Sequence, residues 1–266
     1  MKKLISIFCL LSTMSLAHFQ MINTDNLNVE NDTRSVDFDI VFTHPAERGH
    51  SMDIGKDMNG NIKDVVSFVV KKGDKEIEAK SKLVKSKFRD ALSYKFTLDR
   101  KLGLRGSGIW SLIMVPSPYY EASEDIYIQQ VTKVFLHKGE LVDDDMWHTK
   151  QTKKGYPDII SYIDPTNIWV NQAFVGQVVD GDNKPVKNAE IEIEFRNYDI
   201  KDGDFSDVEK TNHSSAKIYA DDNGMFTFIP TKEGQWGFAA LGAGGEKTVD
   251  GKELSLDAVL WIQVEK

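Results

Sequence analysis

Cysteine is almost absent from the sequence, which has one, Cys9, in 266 residues. Long apolar runs are scarce as well, because no segment after the first 17 residues approaches the ~20 apolar residues that a membrane-spanning helix needs. The sequence therefore predicts no insertion into a membrane and no fold that depends on disulfides.

The common enzyme signatures are also missing. The sequence contains no H-E-x-x-H, G-x-S-x-G, Walker loop or G-x-G-x-x-G. The net charge of −8 argues against nucleic acid and against anionic membrane surfaces as partners, although acidity also serves solubility alone. These absences favour a binding protein over an enzyme.

The first 17 residues have the features of an export signal. Two lysines precede a short apolar run, and Ser15 and Ala17 are the small residues that a cleavage site requires. Cys9 lies inside the apolar run next to Phe8, which does not fit a lipoprotein signal. We therefore predict a signal peptide over residues 1–17, a periplasmic location and a processed chain that begins at His18.

The rest of the chain predicts an all-β fold with two β-sandwich domains. Residues 18–137 contain alternating apolar and polar stretches separated by glycine and proline, as in an Ig-like sandwich. Residues 138–167 are polar and are expected to form either a linker or a long ordered loop. No amphipathic helix is predicted.

The C-terminal region, residues 168–266, carries the ordered pattern G-x-V-x-D, G-x-P-V-x-x-A-x-I and D-x-x-G-x-F in slightly varied form. It resembles the carboxypeptidase-regulatory-like or transthyretin-like β-sandwich, a fold that hosts many functions. Within it, strict alternation predicts that Ile191, Ile193 and Phe195 face the core. The same alternation predicts that Glu190, Glu192 and Glu194 face outward.

Three histidines are candidate metal ligands. A histidine at a free N-terminus, as predicted for His18, can chelate a metal through its amine and Nδ1. His44 and His50 lie in a segment with Pro45 and Gly49, so a loop can turn both imidazoles toward one point; a regular strand would hold them ~20 Å apart. Imidazole and amine nitrogens suit Ni, Cu or Zn. Equally, His44 and His50 could be polar residues of a turn that binds no metal.

Other polar residues are candidates for a second layer around such a metal. Carboxylates can accept an imidazole N–H, and tyrosine and glutamine side chains can support a polar site. Methionine is a soft ligand but more often packs in a core, and tyrosines also pack at sheet edges. The candidates for this layer are Glu47, Met52, Asp53, Tyr119, Tyr120, Glu121 and Gln129.

Four ordered motifs together resemble the DUF4198 family: A-H-F-Q at 17–20, F-T-H-P with G-H-S-M-D at 42–53, P-Y-Y-E with E-D-I-Y-I-Q-Q-V-T-K at 118–133, and Q-W-G-F-A-A at 235–240. The resemblance implies a periplasmic component associated with nickel/cobalt transport systems of the energy-coupling-factor type. Such a protein would bind Ni²⁺ or Co²⁺ through His18, His44 and His50 and hand the metal to a membrane-embedded uptake transporter.

Two alternatives stay open. A histidine in first position forms the bidentate brace known from copper proteins, and Cu²⁺ binds nitrogen sites more tightly than Ni²⁺, so a copper-binding chaperone or oxidase is one alternative. A metal-free, Ig-like interaction module is the other. If metal is bound, its affinity should fall as the pH drops through about 6.5, because the ligands must be deprotonated.

Overall fold

A computed structural model describes residues 18–140, 146–211 and 214–266. The predicted signal peptide lies outside these ranges, as do His213 and the acidic run Asp143, Asp144 and Asp145. Within them the regular secondary structure is almost entirely β-strand, which confirms the all-β prediction. The described helical elements are three short 3₁₀ turns, Lys80–Lys82, Arg100–Leu102 and Met146–His148, and no helix in these ranges is long and apolar enough to cross a membrane.

Ten strands lie within residues 18–140. They are β1 (Phe19–Asn23), β2 (Asn28–Val29), β3 (Ser35–Thr43), β4 (Ser67–Lys72), β5 (Lys75–Glu78), β6 (Val84–Phe88), β7 (Ala91–Asp99), β8 (Gly108–Val115), β9 (Tyr119–Glu121) and β10 (Ile126–Lys138).

The described residues after 145 add β11 (Asp158–Ser161), β12 (Ile168–Trp169), β13 (Phe174–Val179), β14 (Glu190–Phe195), β15 (Ile200–Lys201), β16 (Asp204–Phe205), β17 (Ser215–Tyr219), β18 (Met225–Phe228), β19 (Gly234–Ala240), β20 (Thr248–Val249) and β21 (Lys252–Glu265).

One large sheet runs through the molecule in the order β17-β14-β19-β21-β10-β8-β4-β5, with β2 and β9 beside β10 and with β12 and β20 beside β21. At its centre β10 and β21 pair in parallel, from Tyr127 opposite Leu254 to Val134 opposite Trp261. Strands from both halves of the chain therefore share this sheet. That residues 18–137 and 168–266 are separate domains stays a prediction.

Two smaller sheets pack on opposite faces of the large one. The sheet β1-β3-β7-β6 shares a core with alternate residues of β21 that include Val259 and Trp261. The sheet β11-β13-β18 shares a second core with Leu260 and Ile262 of the same strand. Because successive side chains of a strand point to opposite faces, one strand serves both sandwiches.

In strand β14 the predicted inward-facing residues are confirmed, but the outward-facing ones are not. Ile191, Ile193 and Phe195 lie in the second core as expected. The prediction that Glu192 and Glu194 face solvent is wrong, because these side chains are buried, Glu194 with 1% of its surface exposed. Their face of the sheet is covered, and Glu194 Oε2 accepts a hydrogen bond from the N–H of Ala46 at 3.2 Å. Burial raises the pKa of Glu194 to about 8, so it is protonated at neutral pH.

A buried ion pair ties the stretch after residue 145 to the central sheet. Lys133 on β10 is fully buried, and its Nζ lies 2.7 Å from Asp158 Oδ1 and donates to the carbonyl of Ile159 at 2.9 Å. The other oxygen of Asp158 accepts from the backbone N–H groups of Gln151 and Thr152. This part of 138–167 is ordered by hydrogen bonds that satisfy both charges.

We expect Lys133→Met to lower the free energy of unfolding by about 3–5 kcal/mol, because it leaves the Asp158 carboxylate buried without its cation. Chemical denaturation of the two proteins measures the difference. Lys187, whose pair with Asp222 is largely exposed, provides the matched control, and Lys187→Met should change stability by less than about 1 kcal/mol. Equal effects of the two substitutions would contradict the account.

Candidate metal site

The register of β1 on β3 brings the first two histidines together. The strands are antiparallel, with Phe19 opposite Thr43. The residue before Phe19, His18, therefore lies across from the residue after Thr43, His44. Both are largely buried, at 8% and 9% exposure. Cross-strand neighbours in this position have adjacent side chains. Their ring centroids are 4.4 Å apart.

A tight loop brings His50 to the same point. The chain turns after β3 and returns, so that the N–H of Met52 donates to the carbonyl of Phe42 at 2.9 Å. The hydroxyl of Thr43 donates to the carbonyl of His50 and contacts the hydroxyl of Ser51. This closure places the ring of His50 5.0 Å from that of His44 and 5.5 Å from that of His18.

The three imidazoles form a compact cluster, in which one nitrogen from each of His18, His44 and His50 lies within 4.8 Å of the others. Nitrogens that bind one metal at about 2.0–2.1 Å are about 3.4 Å apart in a tetrahedral site and at most about 4.2 Å apart, so the cluster would have to contract by about 0.6–1.4 Å to form a ligand set. His50 is exposed while the other two are buried. The cluster therefore meets solvent on one side.

The cluster holds His18 in its neutral form. The pKa of His18 is lowered to about 4, mainly by burial and then by the nearby His44; the Glu121 carboxylate opposes this shift, and His50 adds a smaller lowering. A neutral imidazole offers the lone pair that a metal needs. The sequence carries no signal for this effect, because it follows from the burial of His18 next to two other imidazoles.

Glu121 is the carboxylate beside the cluster. It is buried on β9, and its Oε2 lies 3.2 Å from Nε2 of His18. Its other oxygen accepts from the N–H and hydroxyl of Ser123. Burial alone would raise the pKa of Glu121, but these hydrogen bonds and His18 hold it below its ordinary value. Nε2 of His18 and Oε2 of Glu121 are close but make no hydrogen bond with each other or with other described residues. A proton on Nε2, next to the carboxylate, would leave Nδ1 as the nitrogen that can bind a metal.

A glutamine that the sequence analysis did not single out fixes the backbone of His18. Gln130 on β10 donates to the carbonyl of His18 at 2.5 Å and accepts from the N–H of Gln20 at 2.7 Å. The predicted neighbour, Gln129, points to the other face of β10 and donates to the carbonyl of Pro116. Neighbouring residues of a strand point to opposite faces, so Gln129 and Gln130 could have been told apart from the sequence if it were known which face of β10 the strand β1 covers.

The two tyrosines of β9 point to opposite faces of the strand. Tyr119 packs edge-on against Phe42, which in turn contacts the His18 ring, and burial together with Glu121 raises the pKa of Tyr119 to about 12. Tyr120 faces away, and its hydroxyl donates to Asp125. Tyr119 therefore lies beside the cluster and Tyr120 does not.

The remaining predicted neighbours make other contacts in the structure or are exposed. Glu47 is exposed on the loop. Met52 is buried in the first core, at the point where the chain comes back from the loop. Asp53 accepts from the N–H of Leu92 and pairs with Lys56, so its carboxylate ties the loop to β7.

The loop that carries His44 and His50 is anchored by residues far away in sequence. Asn197, just after β14, donates from its backbone to the carbonyl of Pro45 and from its side chain to that of Ala46. Arg89 donates to the carbonyls of Arg48 and Gly49. These distant residues had no sequence signal that linked them to the histidines.

Gly49 leaves room for the His44 ring. A Cβ added there would lie 2.7 Å from both Cβ and Cδ2 of His44. Real contacts of this kind are never so short, so the ring can occupy its place only because residue 49 has no side chain. His137 and His148 lie outside the cluster.

The fold and this cluster define an all-β protein with three histidines converging on one point. The chain belongs to the DUF4198 family, described as a domain of unknown function, whose model matches residues 15–244 and so includes the whole cluster. No curated protein matches the sequence.

Several solved structures resemble the chain at low identity. The D0-D1 domain of intimin is 14% identical, with 90% of this chain and 96% of that one covered and a TM-score of 0.21. The Yersinia pseudotuberculosis adhesin InvE is 13% identical, with coverages of 91% and 58% and a TM-score of 0.22. The E. coli alpha-2-macroglobulin is 10% identical, with a TM-score of 0.23; this chain is covered over 94% and spans 14% of that one.

Gly49→Ala should push the His44 ring out of the cluster and lower the free energy of unfolding by about 1–3 kcal/mol, the usual cost of overpacking. Thermal unfolding measures the loss, and NMR of the imidazole resonances reports the displacement. Glu47→Ala, an exposed change in the same loop, is the control and should alter neither. Unchanged imidazole resonances in Gly49→Ala would refute the steric role of Gly49.

The metal-free protein should lose stability as the pH falls from about 6.5 to about 4. In this window His18 is protonated in the unfolded chain but stays neutral in the folded chain, where its pKa is lowered, so acid favours unfolding. Above pH 6.5 His18 adds nothing to the pH dependence of the free energy of unfolding. His18→Gln should flatten the curve of melting temperature against pH in this window. Parallel curves for the two proteins would contradict the lowered pKa.

Proposed function

We propose that this protein binds a divalent transition metal, Ni²⁺ or Co²⁺, through His18, His44 and His50 in the periplasm and delivers it to a membrane-embedded uptake transporter. The observation that carries the proposal is the convergence of three imidazoles from two separate parts of the chain. Binding and transfer of metal, rather than catalysis, is the proposed activity. Nickel or cobalt and the transporter are suggested by the family resemblance.

The chemistry of the cluster supports a transition metal over Ca²⁺ or Mg²⁺. Those two cations prefer oxygen ligands, whereas neutral imidazoles suit Co²⁺, Ni²⁺, Cu²⁺ and Zn²⁺. The Glu121 carboxylate would compensate part of the metal's positive charge in a buried place. Because His18 is neutral down to about pH 4, protons would compete with metal mainly at the other ligands.

The unequal exposure of the ligands suits a cargo that must leave again. His18 and His44 lie in the protein, while His50 lies on the surface loop. A metal held this way can be approached from the His50 side without unfolding the sheet. An accepting protein would therefore displace His50 first.

Copper is a second candidate, and one observation favours it. Nε2 of His18 lies 3.2 Å from Glu121 Oε2, so a proton on Nε2 would leave Nδ1 to bind the metal, and Nδ1 is the atom that forms a chelate ring with the amine of the same residue. Cleavage after Ala17 would create that amine. A brace of this kind, with His44 and His50, would bind Cu²⁺ more tightly than Ni²⁺.

Isothermal titration of protein that begins at His18 should show one Ni²⁺ or Co²⁺ bound per chain. His50→Ala removes an exposed ligand with little effect on folding and should weaken binding at least about tenfold, which corresponds to about 1.4 kcal/mol. His137→Ala is the matched control and should bind as the unaltered protein does. No binding of Ni²⁺, Co²⁺ or Cu²⁺, or equal binding by both variants, would refute the proposal.

A single extra residue before His18 should weaken metal binding if the amine is a ligand, because its nitrogen then becomes an amide. The comparison uses two proteins, one beginning at His18 and one beginning at Ala17, titrated with Cu²⁺ and with Ni²⁺. A larger loss for Cu²⁺ would support the brace. Equal affinities would show that the site consists of imidazoles alone.

A further inference from the structure

A buried carboxylate lies in the large sheet, two hydrogen bonds away from His18. Asp257 on β21 has 2% of its surface exposed. Because successive side chains of a strand point to opposite faces, Asp257 faces the same way as Val259 and Trp261, which lie in the first core. An acidic side chain in this apolar row is costly, because burial removes the water that stabilises its charge. Burial accordingly raises the pKa of Asp257.

Three uncharged groups donate to this carboxylate. Oδ1 of Asp257 accepts from the N–H of Gly242 at 2.9 Å and from the hydroxyl of Ser255 at 2.5 Å. Oδ2 accepts from Nε2 of Gln130 at 3.3 Å, and the parallel pairing of β10 with β21 sets these two residues side by side. The two oxygens therefore have separate tasks, since one holds the backbone of residue 242 and the other holds the side chain of Gln130.

The side-chain amide of Gln130 has a partner for each of its polar groups. Its Nε2 carries two hydrogens, and it donates to the carbonyl of His18 at 2.5 Å and to Asp257. Its Oε1 accepts from the N–H of Gln20 at 2.7 Å. The amide therefore has β1 on one side and Asp257 on the other.

We infer, on the basis of the proposed metal-binding function, that Asp257 is a positioning residue for the metal ligand His18. By accepting from Nε2 it keeps the Gln130 amide in the orientation that holds His18 across from His44. A donor in place of Oδ2 would face the Nε2 hydrogens and turn the amide round. The turned amide would place Oε1 against the carbonyl of His18 and Nε2 against the N–H of Gln20, so both bonds to β1 would be lost.

Asp257→Asn tests this role, because it keeps the shape of the side chain and replaces one acceptor by a donor. The new NH₂ group should face Gln130, since the alternative partner, the N–H of Gly242, belongs to the backbone and cannot turn away. Isothermal titration with Ni²⁺ of protein that begins at His18 should show binding at least about tenfold weaker, which corresponds to about 1.4 kcal/mol. Ser255→Ala removes a donor from the other oxygen and is the matched control, with an affinity within about twofold of the unaltered protein.

A double-mutant cycle separates an action through Gln130 from a general loss of stability. Gln130→Met removes the bonds to β1 directly, so adding Asp257→Asn to it should weaken Ni²⁺ binding by less than about a further twofold. The melting temperature of each variant reports whether it is folded. A full tenfold further loss in the Gln130→Met background, or unchanged affinity in Asp257→Asn alone, would overturn the inference.

The metal-free protein gives a readout that does not depend on the proposed function. In NMR spectra of Asp257→Asn the imidazole resonances of His18 should shift and those of His137 should not, and unchanged His18 resonances would overturn the inference. Shifted resonances in a protein that binds no Ni²⁺ would refute the proposed function and support the positioning of His18 by Asp257.

Hydrogen exchange in the unaltered protein decides the matter should Asp257→Asn not fold. Both Nε2 hydrogens of Gln130 should exchange more slowly than those of Gln172, an exposed glutamine, because each is buried and bonded. Exchange of one of them at the rate of Gln172 would show that Asp257 does not hold it and would overturn the inference.

Discussion

The pairing of β1 with β3 is the constraint on which the candidate site depends. It sets His18 across from His44, and the buried side chain of Gln130 holds the first of these strands in place from the large sheet. A shift of register by one residue would turn every side chain of β1 to the opposite face. Phe19 would then leave the core, where it packs on Trp261, so the core and the site enforce the same register.

The site also joins parts of the chain that are far apart in sequence. His18 directly precedes β1, Glu121 lies on β9, and the loop with His44 is held by Asn197 and Glu194. Glu194 can be buried there because it is protonated at neutral pH and accepts the N–H of Ala46. A loop held in this way has its imidazoles positioned before any metal arrives, which reduces the ordering that binding would require.

The features that could be predicted from the sequence are those that depend on residues close together in the chain. The all-β fold followed from alternation, and the convergence of His44 and His50 followed from Pro45 and Gly49 between them. The sequence could not predict the contacts of Gln130 and Asn197 or the burial of Glu194. Each of these depends on which strands face each other across the sandwich. The same lack of tertiary information made Gln129 and Gln130 indistinguishable, although only Gln130 contacts His18.

A crystal structure of the protein beginning at His18, grown with Ni²⁺ and measured at the nickel absorption edge, tests the central claim most directly. We expect one anomalous peak about 2.0–2.1 Å from a nitrogen of each of His18, His44 and His50. A fully occupied peak at other residues, or a cluster without a peak when nickel is in excess, would contradict it.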